Sequence, residues 1–221
     1  MSDDRQIPRV PIRVVSDAEV DSAFEPYVAG VGRVAYAWNY LHEKLGEIFL
    51  MVVNPAEIHI VLSVWYSTEN DRAQREMLRA ALCASSPNRW SPRLPTARDD
   101  LLWLVQETHK LADARNNAIH TPCSTFTDEK GTEMQAAFRN GHPRAKRLVG
   151  KRLIDELKRC ERRTRTLAEY ATRAHGALTV QRRAWPDKPA LPIRGRKNSP
   201  QDQRRQDQPE EPPRPRPPSR R

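Results

Sequence analysis

The chain has 221 residues, 38 Lys and Arg against 28 Asp and Glu, a formal charge of +10, 19 prolines and 38 % apolar residues. That length fits one or two domains, and the low apolar share reflects an uneven spread along the chain. The longest apolar run, Ile48 to Val53, is too short to cross a bilayer, and the acidic start MSDDRQ has no signal-like run. The three scattered cysteines, Cys83, Cys123 and Cys160, match neither zinc spacing nor a disulfide framework. A cytoplasmic protein with reduced thiols, no metal and no membrane contact is expected.

Residues 1–22 carry Pro8 and Pro11 among β-branched residues and read as an extended arm. A long helix is expected over Val28 to Val53, with Val31, Val34, Trp38, Leu41, Leu45, Ile48 and Val52 recurring at three- and four-residue steps before Asn54-Pro55. His42 and Glu43 read as a surface pair beside that core stripe. A second helix runs from Ala56 to Trp65. Ser67 or Thr68 is placed to cap a third, which carries Met77, Leu78, Ala81 and Leu82. Asp71 and Arg72 mark a helix junction or, alternatively, line a cleft. After a proline-rich loop over 85–95, Thr96 with Asp99 approximates a capping box for a fourth helix reaching His120, where Thr121-Pro122 stops it. Residues 123–145 suggest a small hairpin turning at Asp128 to Gly131. A last helix over Ala145 to Leu178 pairs an apolar stripe with a face dense in Arg and Lys. That face reads as salt-bridged and solvated or, if it borders a site, as an RNA guide through Arg152, Arg159 and Arg163. From Thr179 onward, 43 residues hold 10 prolines, 12 basic residues and 5 acidic ones. Such a stretch cannot bury enough surface to offset its ordering entropy, so a disordered tail over 179–221 is expected. The fold class is all-α, a four- to five-helix bundle over 23–178 with a hairpin insertion. Trp38, Trp65 and Trp103 belong to its core.

The fourth helix has two stripes on a helical wheel. Leu101, Val105, Thr108, Ala112, Arg115 and Ile119 face inward, and a guanidinium near a core face is costly unless it is paired or used. His109, Asp113, Asn116 and His120 form a polar row, a set suited to orienting a proton-transfer group. The plain alternative is that such residues satisfy carbonyls at a helix end.

The string Arg115-Asn116-Asn117-Ala118-Ile119-His120 resembles the R-N-x-x-x-H signature of HEPN domains (higher eukaryotes and prokaryotes nucleotide-binding), which sits at a helix end in an all-α fold. That resemblance implies a metal-independent endoribonuclease with Arg115, Asn116 and His120 as catalytic residues, pairing as a homodimer in a defence or toxin system. It also implies an antitoxin or minimal nucleotidyltransferase partner. The chemistry stands on general grounds. RNA brings its own nucleophile in the 2′-OH, an imidazole can take or return its proton, and a guanidinium can hold the phosphate, with no cofactor. Asp113 is expected to support Asn116 or orient His109. Arg115 and His120 are about 140° apart around an ideal helix. Convergence therefore needs an unwound last turn or a second chain. The alternative is a noncatalytic helical module that dimerises or holds nucleic acid. Walker loops, dinucleotide fingerprints and nucleophile elbows are absent from the sequence.

Overall fold

The computed structural model describes residues 15–86, 90, 94–128, 131–137, 141–180 and 182–191. The arm over 1–14, the tail beyond 191, and parts of the 85–95 loop and the hairpin turn lie outside them.

The first helix starts earlier than its apolar stripe. α1 spans Asp17–Val53 because Ser16 forms a capping box with Glu19, and the helix continues through Pro26. Residues 17–22, read above as extended, are therefore helical. α2 (Ile58–Tyr66) ends where the Ser67 and Thr68 hydroxyls both donate back to the Val64 carbonyl. That leaves the next cap to Asn70, whose side chain accepts from the Ala73 amide at 2.8 Å and opens α3 (Asp71–Ala84). α4 covers Ala97–Ile119 with His120 as its C-cap. Thr96 precedes it, but its side chain makes no capping hydrogen bond, contrary to the expected box.

β1 (Cys123–Asp128) and β2 (Gly131–Ala136) form the expected antiparallel hairpin, with Cys123 opposite Ala136 and Asp128 opposite Gly131. The last helix is not continuous. α5 (Pro143–Lys146) is a single turn, Gly150 takes a φ of +70°, and α6 runs over Leu153–Thr179. The break lets Leu148 and Leu153 both point inward, at 4 % and 0 % exposed, which one straight helix across a five-residue step would oppose.

α1 and α6 make the most extensive contact, α4 packs on α6, and α2 and α3 close the other side of α1. Among the described residues the fold is thus mainly helical, six helices plus one two-stranded sheet. Trp38 and Trp65 are fully buried, while Trp103 is half-buried with its ring edge-on to Tyr170 at 5.5 Å.

Residues 182–191 depart from what their composition suggests. They have no regular secondary structure yet return to the helices. The Trp185 indole donates to Asp100 Oδ2 at 2.8 Å, and Lys188 Nζ lies 2.6 Å from Asp100 Oδ1 and over the Trp103 ring. Burial alone would raise the Asp100 carboxyl, but the Lys188 ammonium and the Thr96 and Trp185 hydrogen bonds hold it below the usual carboxylate range. The compact unit accordingly extends to Leu191.

Candidate functional site

Three helices close on a cleft of about 390 Å³. α1 contributes Trp38, the start of α3 contributes Asp71, Arg72 and Arg75, and the end of α4 contributes Ala112, Arg115 and Asn116. Glu69 and Asn70 form its rim. Each element reaches the cleft for a local reason. The Asn70 cap fixes where α3 starts, which puts Arg75 one turn in, on the same inward face as Leu78 and Leu82. The apolar stripe of α4 is followed in register by Arg115.

Trp38 is the floor. Its ring is 1 % exposed and its indole Nε1 donates to Asp71 Oδ2 at 2.6 Å. The Arg75 and Arg115 guanidinium carbons lie 5.5 and 5.3 Å from its ring centroid, a cation–π distance for both. Arg115 Nη1 donates to Asn116 Oδ1 at 2.9 Å, and its Nε is buried without a partner. Among the described residues Arg115 has no carboxylate within ion-pair distance.

Arg75 is 3 % exposed, and two imidazoles hold it. Its Nη1 lies 3.0 Å from His42 Nε2, and its Nε donates to His109 Nδ1 at 3.4 Å. A guanidinium can only donate, so both ring nitrogens facing it are acceptors. The His42 proton is therefore on Nδ1, 3.1 Å from Gln74 Oε1, while Gln74 Nε2 donates to the Trp65 and Thr68 carbonyls. His109 carries its proton on Nε2, 3.2 Å from Glu76 Oε1. Burial pushes the His42 pKa down to about 4, with Arg75 and Arg115 acting the same way and Asp71 and Gln74 against.

The residues expected from the sequence separate into groups. Arg115 and Asn116 meet each other and line the cleft. His120 is exposed at the C-cap, its backbone N–H bonded to the Asn116 carbonyl, and it is not among the lining residues. His109 turns to Arg75 and Glu76 on α3, away from the polar row, and Asp113 is exposed. On the basic face Arg152 meets Glu133 at 3.0 Å, Arg159 meets Glu156, and Arg163 shares Glu107 with Lys110. Among the described residues, no three His, Cys, Asp or Glu side chains are grouped to hold a metal ion.

Sequence reasoning missed Arg75 and His42. His42 lies four residues after Trp38 on the buried stripe of α1, so its inward position was readable; the partner on another helix was not.

No protein family, curated protein or solved structure matches this chain. What the cleft does has to be argued from its own residues.

Proposed function

We propose that this chain is a HEPN-like helical bundle that acts as a metal-independent endoribonuclease. In this reading Arg115 and Asn116 hold the scissile phosphate in the cleft. An imidazole from His120 takes the 2′-OH proton or returns one to the leaving 5′-oxygen. The oxygen attacks phosphorus, the P–O5′ bond breaks, and a 2′,3′-cyclic phosphate and a 5′-hydroxyl result. The observation that carries the reading is Arg115. It is a partly buried guanidinium on a cleft wall, bonded to an amide and an aromatic face and to no carboxylate among the described residues. A guanidinium taken partly out of water is costly unless it is paired or put to use.

The exposed position of His120, outside the lining of its own cleft, favours a site completed by a second copy of the chain. The same position supports the second reading, a noncatalytic module that holds RNA through the cleft. One experiment separates them. Purified protein is incubated with single-stranded RNA in EDTA. Cleavage that His120→Ala abolishes, with an unchanged circular dichroism spectrum, supports the nuclease. RNA binding without cleavage in the intact chain supports the module.

A further inference from the structure

The strongest feature outside the R-N-x-x-x-H string is the second guanidinium of the cleft. We propose that Arg75 is an anion-binding residue that joins Arg115 in holding one phosphodiester group, and that His42 and His109 are positioning residues that keep it there. The proposal takes the identity of the anion from the RNA reading above; the existence of the anion site does not depend on it.

Arg75 is almost completely buried, yet among the described residues no carboxylate is within ion-pair distance of it. Its Nε and Nη1 go to neutral imidazole acceptors, which satisfy hydrogen bonds without cancelling charge. No hydrogen bond from its Nη2 is present among the described residues, although Arg75 lines the cleft. Arg115 stands over the same Trp38 ring with its Nε unpartnered. The two guanidiniums repel each other in a poorly solvated place, and Asp71 and Glu76 are the carboxylates that act on Arg75, so a further anion between the guanidiniums is favoured. An ammonium at either position would lack the planar fork that grips two phosphate oxygens together.

The carboxylates of the cleft set which anion fits. Asp71 is committed to the Trp38 indole, and Glu69 sits at the exposed rim. Arg72, Arg75 and Arg115 therefore outnumber the acids by one. A phosphodiester carries one negative charge and matches that surplus. A terminal phosphate carries nearly two and would meet Asp71 and Glu69.

The probe is a 2′-O-methylated dinucleotide with one phosphodiester and no terminal phosphate, which 2′-OH attack cannot cut. In the full chain labelled with nitrogen-15, the Arg75 Nε–H resonance is assigned by its loss in Arg75→Lys. Adding the dinucleotide should move it, and inorganic phosphate at the same concentration should move it less. Arg75→Gln and Arg115→Gln should each weaken dinucleotide binding by about ten-fold or more, since each removes a charged hydrogen-bond donor. His109→Ala should weaken it less, and His109→Gln, which keeps an acceptor, should restore it. A resonance in the wild-type chain that stays still overturns the proposal, as does Arg75→Gln binding within two-fold of wild type. The shift is read in the unmodified chain and needs only the Arg75→Lys spectrum for its assignment, not the Gln variants. Cleavage of ordinary RNA with an unmoved Arg75 signal would leave the nuclease and remove this role. A moved signal without cleavage would do the reverse.

Discussion

His42 sits in an environment far from its ordinary one. Held neutral between Gln74 and Arg75, it refuses a proton until about pH 4, whereas in the unfolded chain it accepts one near 6.5. Below pH 6.5 the unfolded state therefore binds more protons, and stability falls as pH falls. The loss attributable to His42 is about 3 kcal/mol by pH 4. Denaturant unfolding at pH 7 and pH 4.5 should show a steeper decline for wild type than for His42→Gln, which cannot titrate. Equal slopes would assign the acid sensitivity elsewhere. At this scale the sequence was half legible. Arg115 beside a core stripe could be read from the wheel, because the helical period alone places it. The bond from His109 to Arg75 could not, because it joins helices 34 residues apart in the chain and depends on how α3 lies against α4. The i, i+4 row assumed neighbours along one helix and had no term for a competing partner across a helix pair.

Two glycines of α1 should respond in opposite directions to the same change. A Cβ at Gly46 would stand 2.8 Å from the Trp65 indole nitrogen and 3.0 Å from its Cδ1, in a ring that is fully buried. Gly46→Ala gains helix propensity of up to about 1 kcal/mol, but it forces α2 outward, and overpacking costs about 1–3 kcal/mol. A net loss is expected. Gly32 is exposed with nothing within 4 Å, so Gly32→Ala should stabilise by roughly 0.5–1 kcal/mol. Thermal melts of the two variants test the pair. Most element positions were readable, because the apolar period of α1, α3, α4 and α6 survives into the buried faces. Boundaries followed side-chain bonds that compete locally. Ser67 and Thr68 look like caps but close the helix behind them, and Asn70 opens the one ahead. The split between α5 and α6 turns on one glycine with positive φ, which composition does not single out.

The described residues run twelve positions past the last helix. Truncation after Leu191 should leave the melting temperature unchanged. Truncation after Thr179 removes Trp185 and Lys188 from Asp100 and uncovers Trp103, and should lower it by about 2–4 °C per kcal/mol lost. Composition misjudged residues 182–191 because two anchors, Trp185 and Lys188, outweigh Pro186 and Pro189 there. A shared site also has an assembly-level signature. Inactive Arg115→Ala and His120→Ala chains, mixed and re-annealed, should recover about one quarter of wild-type cleavage, since half of random dimers are mixed and each has one intact site. No recovery would place both groups in one chain. The pairing of Arg152, Arg159 and Arg163 with Glu133, Glu156 and Glu107 has a consequence for how the protein meets a polyanion. Cations already matched by acids displace few condensed counterions from a strand. If the cleft alone makes the contact, binding of single strands should weaken with ionic strength at a logarithmic slope of only about −0.7 per phosphate neutralised.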